Sequence, residues 1–536
     1  MSSFTSTASG PPTVGAMGKH FLVSLCWNER LNTTGGNILS RSHCEDAASR
    51  HQIEIPVGTT ITGRVVDVYC KQMHLRLHAP TDASLTARCP VSSFVARVAG
   101  PALLTPRVVP EWLSEGTHWF DAALVDAGTY TLELRLDFVD DRGLCGCRAN
   151  ESVILFQQLV RTTLVVRGAA TPAVGGIPGK GSRWLRVNCS ARSHGDTFVA
   201  EACRGPRRLI QGIPASGHHQ STEWLYVPSG SGQKWRVLPL PRAFAAGGTY
   251  WLHIDGDSTL TRGEKEDLVM LLNAWSWNRT TNQPITCIRL RPPASKASVT
   301  TMVAACGNAK SGGYSKIGAQ DIGLPINLFS WERGGGKMYL SVSGVAGGGG
   351  GGKTGLSLEE SYWRMLINTV GSLVGRSRPD AVVVNYALHY TGVGDFCSPH
   401  YALHVSKCLK AVRSVYPGLL VWHPGYLTQF EDQAPFGVVS PNQAPPPWPV
   451  GSRKVSSLWN CRSRDQIYSM EDSAREVAAR YGVPVLNSLH ASAAFPQNTD
   501  DNRHYNGGVL NHMHQKTSIT VLNMLLNLIS PAAELR

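Results

Sequence analysis

From about residue 52 to 168 apolar and polar positions alternate with a period of two, in IEIPVGTTITGRVVDVYC, MHLRLHAP, TYTLELRLDFVD and LVRTTLVVRG. Successive side chains of a strand face opposite ways, so this alternation, rich in β-branched residues and bounded by Gly, Pro, Asp or Asn, predicts antiparallel strands of a β-sandwich. After Tyr250 the texture changes. A short apolar run, YWLHI, stops at DGDS, and the helix-compatible EKEDLVMLLNAW follows. LSLEESYWRMLINTVGSLVG, YALHVSKCLKAVRSVY and RDQIYSMEDSAREVAARYG carry apolar residues at helical spacing. Between them lie PDAVVVNYALHY and GLLVWHP, and after them VPVLNSL, which read as strands, the first as one buried on both faces. Strand–helix alternation with short joins predicts an α/β domain built on a parallel, doubly wound sheet. The final amphipathic stretch, HMHQKTSITVLNMLLNLI, is expected to cover one face of it.

The same reading divides the chain. Residues 1–50, rich in Ser, Thr, Gly and Pro, read as a flexible lead-in; 51–170 as an immunoglobulin-like sandwich; 171–248 as an irregular connector; and 249–536 as the α/β domain. A weakly structured, Gly-rich insertion is expected at about 290–356. Its GGGGGGKT at 347–354 fits the phosphate-loop pattern, but a glycine homopolymer is also what linkers contain, and no Walker-B partner is evident. In the sandwich, Asp126-x-Gly128-x-Tyr130 matches the corner of immunoglobulin-like folds, where the tyrosine hydroxyl ties its strand to the preceding turn.

Composition narrows the classes. A chain of 536 residues is too long for one core. At 42% hydrophobic and 17% charged it describes a folded protein, and no run reaches the ~18 apolar residues of a membrane span. The net charge of +13 comes from scattered Lys and Arg without a nucleic-acid module, so it reads as a solvated basic surface or as attraction to acidic polysaccharide or anionic membrane. The 13 cysteines include no CxxC pair with zinc spacing. Sequons at Asn32, Asn150, Asn188 and Asn278 barely exceed the roughly three expected by chance. The N-terminal FLVSLCW patch has no convincing signal-peptide layout.

The candidate chemistry begins at HIDGDSTLTRG, residues 253–263. Either Asp257 or Ser258 caps the following helix, or the turn at the end of a parallel strand presents Ser258 over a crevice where backbone N–H groups bind an oxyanion. A serine nucleophile needs a base. In PQNTDDNRHYNGGVLNHMHQ, Asp501 stands three residues before His504, a spacing that lets a carboxylate hold the imidazole Nδ1–H and leave Nε2 for a serine; Asp500 is the alternative orienter.

These residues carry a resemblance. From about 223 onward the chain resembles the SGNH (GDSL-type) hydrolase superfamily, and within it the PC-esterase branch of trichome-birefringence-like and NXPE proteins. EWLYVPSGSGQKWRV with GGTYWLHIDGDSTLTR, RPDAVVVNYALHY and DDNRHYNGG are the matching blocks, and the sandwich with its GTYTLEL strand is similar to the module preceding that domain in NXPE-type chains. The resemblance implies a three-layer sheet with Ser258 as nucleophile, His504 as general base and then acid, and Asp501 as its orienter. It implies an oxyanion hole made by the Ser258 N–H and the Asn385 side-chain amide, each donor contributing ~3 kcal/mol. Asn385 also has a purely structural reading, a buried amide satisfying neighbouring backbone.

The implied activity is that of a carbohydrate O-acetyl esterase or polysaccharide O-acetyltransferase in the secretory pathway, needing no cofactor and no metal. Its partners are an acetylated or acceptor glycan and, for a transferase, an acetyl donor. The rival readings are an inactive glycan-binding or adhesion protein, and an esterase on small or lipid substrates. The chain departs from the family pattern at Val383, where a glycine is usual, in having no Asp after Asn385, and in PSGSG, where cysteines are usual. His389, His400, His423, His512 and His514 read as ordinary surface or core histidines.

Overall fold

A computed structural model describes residues 21–32, 38–47, 50–67, 91–111, 116–140, 153–168, 183–187, 223–227, 239, 241–256, 260, 268, 286–291, 302–305, 326–333, 335–344, 358–385, 398–427, 453–454, 464–493 and 515–530. Over these residues the chain is a mixed α/β protein in which strands outnumber helices and form three sheets.

The first sheet joins β1 (Phe21–Asn32), β2 (Ile38–Asp46), β4 (Thr59–Asp67), β7 (Val109–Pro110) and β8 (Thr117–Leu124) in the order β2-β1-β4-β8-β7. The second joins β5 (Val91–Ala99), β6 (Ala102–Leu104), β9 (Gly128–Asp140), β10 (Val153–Arg167), β11 (Arg183–Val187), β12 (Glu223–Val227) and β20 (Arg453–Lys454) in the order β12-β11-β6-β5-β9-β10-β20. The short β3 (Gln52–Pro56) adds to β10 in parallel. One apolar core lies between these two sheets: Leu25, Ile61, Val65 and Leu124 from one meet Val98, Leu132, Leu134 and Leu164 from the other, all with no exposed surface. At ~1.5–3 kcal/mol per fully buried aliphatic side chain, the alternation along these strands holds the two sheets face to face. Tyr130 is fully buried and its hydroxyl donates to the Asp126 carbonyl at 3.0 Å, the tie its motif anticipates. Gly128 between them has φ 141°, and a Cβ there would come within 2.5 Å of the Pro101 ring.

The third sheet contains β13 (Thr249–Gly256), β14 (Thr286–Arg291), β15 (Met302–Ala305), β16 (Ile326–Arg333), β17 (Gly336–Gly344), β18 (Ala381–Asn385) and β19 (Leu419–Trp422) in the order β15-β14-β16-β17-β13-β18-β19. The run β17-β13-β18-β19 is parallel, and β14, β15 and β16 extend it with antiparallel pairing. One face is covered by α1 (Glu360–Val374), α2 (Ser398–Arg413) and α3 (Arg464–Arg480). The other is covered by α5 (Gln515–Ile529), with Ala491 of α4 (Ser488–Ala493) and the helical, fully buried Leu260 and Leu268. Helix α1 shows why: Tyr362, Trp363, Leu366, Ile367, Val370 and Val374 are buried, a stripe of helical period facing the sheet. Among the described residues no helix is long and apolar enough to cross a membrane.

Four expectations need correction. Residues 21–46, expected within a flexible lead-in, form β1 and β2, because Val23, Leu25 and Trp27 alternate into the core and a disulfide joins the cross-strand pair Cys26 and Cys44. The stretch 171–248, expected to be irregular, supplies β11 and β12, whose Trp184 and Tyr226 meet edge to face and join the core beside the third sheet. The span expected as a weakly structured insertion supplies β16 and β17, and β17 pairs directly with β13, with Met338, Leu340 and Val342 buried at alternate positions. The expected strand VPVLNSL reduces to one parallel bridge, Trp422 to Val485, since Pro484 has no N–H to give and α4 begins at Ser488. The phosphate-loop-like run at 347–354 lies outside the described residues.

Candidate functional site

The third sheet has a topological switch. From β13 the chain passes through Leu260 and Leu268 on one face and ends up in β17, to one side. From β18 it passes through α2 on the opposite face and returns as β19, on the other side. Connections that leave neighbouring parallel strands in opposite directions open a crevice at their carboxyl ends, where ligands of open α/β sheets bind. Here that switch point falls between β13 and β18.

The two strands end side by side. Gly256 and Asn385 are register partners. A Cβ on residue 256 would lie 2.8 Å from the Asn385 carbonyl oxygen, 3.1 Å from Leu260 Cδ2 and 3.2 Å from Asn385 Cβ, so only glycine admits this approach. Gly256→Ala is accordingly expected to cost about 1–3 kcal/mol, read as a lower thermal midpoint, because the nearest clash is with backbone that cannot swing aside.

Ser258, Asp501 and His504 lie outside the described residues. Ser258 follows Gly256 by two positions and precedes Leu260 by two, so the chain is anchored on both sides of it: at the strand end by Asn385 and in the core by Leu260. Asn385 is described and has no exposed surface. It closes the all-buried run AVVVN of β18, and its Nδ2 lies 3.3 Å from His423 Nδ1. By sequence alone His423 reads as an ordinary surface or core histidine. It is fully buried, and its backbone N–H donates to the Val384 carbonyl at 2.9 Å, which carries the β18–β19 pairing one residue further and seats it beside Asn385. The signal was present in GLLVWHP: a polar ring directly after an apolar strand, at the same sheet edge as Asn385.

A second polar group sits behind β13, on the α1 and α2 side. His253 Nδ1 lies 2.8 Å from Ser341 Oγ and its Nε2 3.2 Å from Ser343 Oγ, while the Trp251 indole N–H donates to Ser341 at 2.7 Å. Burial pushes the His253 pKa down to about 3, so the ring is neutral. Asp255, one residue before Gly256, is buried, and its charge acts on the Tyr362 hydroxyl and the Cys408 thiol. Burial, reinforced by this carboxylate, pushes the Tyr362 hydroxyl and the Cys408 thiol well up. The two serines of β17 satisfy the imidazole of His253, and Ser341 the indole of Trp251, so these bonds hold β13 and β17 in register. Among the described residues no group of three or more His, Cys, Asp or Glu could hold a metal ion.

No family model matches the chain, and neither a curated protein nor a solved structure matches it significantly.

Proposed function

We propose that the chain is an SGNH-type serine acyl-transfer enzyme acting on O-acetyl groups of carbohydrate, with an immunoglobulin-like sandwich preceding a doubly wound catalytic domain. One observation carries the reading: the GDS motif begins at Gly256, the last residue of β13, which lies in register beside Asn385 at the switch point of the sheet. The order GDS, strand-end Asn, DxxH along the chain supports it. So does the Tyr130 corner, for the sandwich. The Cys26–Cys44 disulfide supports passage through an oxidising compartment such as the secretory lumen.

In this reading Ser258 Oγ attacks the ester carbonyl carbon while its proton passes to His504 Nε2, with Asp501 holding the ring. The carbonyl oxygen becomes an oxyanion, stabilised by the Ser258 N–H and the Asn385 amide. Collapse breaks the bond to the sugar oxygen, which leaves with the proton from His504, and an acetyl-serine remains. Water then completes an esterase cycle; a glycan hydroxyl completes a transferase cycle. The +13 charge favours acidic polysaccharide as acceptor or substrate.

A fluorophosphonate probe tests the reading. Labelling mapped to Ser258, and slowed by an acetylated glycan, is the expected result. Glycan binding without labelling at Ser258 replaces the enzyme by the adhesion-protein reading, and labelling with turnover of short-chain lipid esters only replaces the substrate class.

A further inference from the structure

We infer that the sandwich is a fixed support of the switch point rather than an independently hung module, and that Arg107 is the positioning residue through which it holds the loop after β19. Arg107 lies in the short link between β6 and β7, and its backbone is fixed from both sides, since Leu104 and Val108 are buried in the sandwich core. Its guanidinium crosses to α3. Nη1 donates to Asp472 Oδ1 at 2.8 Å and Nη2 lies 2.7 Å from Oδ2, while Cζ stands 4.8 Å from the centroid of the Tyr468 ring. Tyr468 and Asp472 are neighbours on one face of the helix, and a planar guanidinium can grip the carboxylate with two N–H groups while its face covers the ring. The two units also share a core, in which Leu103, Trp184 and Tyr226 of the second sheet lie with Tyr250 and Leu252 of β13, so Arg107 is presented to α3 from a rigid base.

The contact is passed on to the sheet. The residues that pack α3 against the core under the sheet, Met470, Ala474, Val477 and Ala478, begin only in its second turn. Before them, Ile467 and Tyr468 pack instead with Leu427, Leu489 and Ala493, which joins the first half of α3 to α4 and to the loop after β19. Leu427 is fully buried and its N–H donates to Ser492 Oγ at 3.0 Å; Ser488, the first residue of α4, donates its hydroxyl to the Gly425 carbonyl at 2.6 Å. The Gly425 N–H donates to His423 Nδ1 at 2.9 Å, and the His423 N–H continues the β18–β19 pairing beside Asn385. Shortly before α3 the chain has also paired with the sandwich, as β20 lies antiparallel to β10. The half of α3 against which the loop packs is thus held by the sandwich twice, through β20 before it and through Arg107 along it.

Amide hydrogen exchange on the full chain tests this, in the unaltered protein and in Arg107→Ala, Arg107→Lys, Asp472→Ala and the double variant Arg107→Ala/Asp472→Ala. In Arg107→Ala, exchange within residues 423–427 and the first half of α3 is expected to rise by about 3- to 10-fold, while β9 and β13 keep their rates. Arg107→Lys keeps the charge but not the planar fork, and should recover only part of the protection. Adding Asp472→Ala to Arg107→Ala should add little, because the two side chains act as one contact. Unchanged exchange at 423–427 in Arg107→Ala, or a rise of the same size in β9 and β13, overturns the inference. Should Arg107→Ala fail to fold, Asp472→Asn decides in its place, with a smaller rise confined to the same two segments expected and a uniform or flat profile refuting the clamp. Heating the unaltered chain gives an independent check: one transition is expected, and a sandwich that melts first while residues 423–427 stay protected refutes the coupling. Neither readout involves turnover, so a chain without esterase activity leaves the outcome intact, and a loop indifferent to Arg107 leaves the acyl-transfer reading intact.

Discussion

Ser258→Ala is expected to lower acetyl-ester turnover by roughly 10⁴-fold or more, the scale at which removal of a serine nucleophile acts in enzymes of this type. In the proposed mechanism the hydroxyl oxygen is the atom to which the acyl group bonds. Its loss leaves oxyanion stabilisation and substrate binding, which by themselves retain only a small part of the rate. The folded state should be little affected, because the described neighbours on either side, Gly256 and Leu260, supply the anchoring. Acetate release measured beside circular dichroism and a thermal midpoint separates the two effects. Unchanged turnover in a folded variant removes Ser258 from the reaction, and with it the assignment of Asp501 and His504.

The second large effect is on stability in acid. Burial pushes His253 down to about 3 from the ordinary 6.5, and burial together with Lys407 pushes His404 down to about 4. Burial, then the charges of Arg475 and Arg107, lowers His490 to about 4 as well. In each case the folded state disfavours the proton that the unfolded chain accepts, so the unfolded state binds more protons below 6.5 and stability falls as the pH falls. The window runs from about pH 6.5, where loss begins, to about pH 4 for His404 and His490 and about pH 3 for His253, where the folded rings at last take their protons. Between pH 7 and pH 5 the fully buried His253 and the nearly buried His404 should each cost about 2 kcal/mol, with a smaller share from the partly exposed His490. Glu471 works the other way: burial raises its carboxyl, so its protonation near the ordinary carboxylate range favours the folded state and offsets part of the loss. Urea unfolding at pH 7 and pH 5 measures the difference. His253→Gln, which retains polar contacts to Ser341 and Ser343, should flatten the slope by about one proton; an unchanged slope means that His253 does not carry the effect.

Much of the architecture was legible because it follows from local periodicity. The period-two runs of β4 and β9 and the apolar runs of β18 and β19 are where the pattern puts them. The helical stripe of α1 is there too, and the Tyr130 hydroxyl reaches the carbonyl of its own motif. Segments judged by composition fared worse. β1 and β2 lie in a Ser- and Thr-rich stretch, β11 in a Gly- and Arg-rich one and β17 beside a glycine run, and each is ordered by partners far along the chain. Trp184 of β11 pairs with Leu103, and Leu252 of β13 with Leu340 of β17, contacts that no window of ten residues contains.

The candidate site divides in the same way. The sequence determined which residue types were available and in what order: a GDS motif after an apolar run, an asparagine closing VVVN, a histidine after LLVW, and DxxH before the last amphipathic stretch. It also determined the strands and helices whose side-chain period is written into the chain. Only the tertiary structure decided that β13 and β18 are neighbours, that Gly256 faces Asn385, and that the imidazole of His423, 38 residues further on, stands within hydrogen-bond reach of both Asn385 and Gly425. The physical reason is that alternation states which face a side chain takes, whereas sheet order and register are settled by burying every strand at once, and a hydrogen bond between strand ends exists only after that packing is complete.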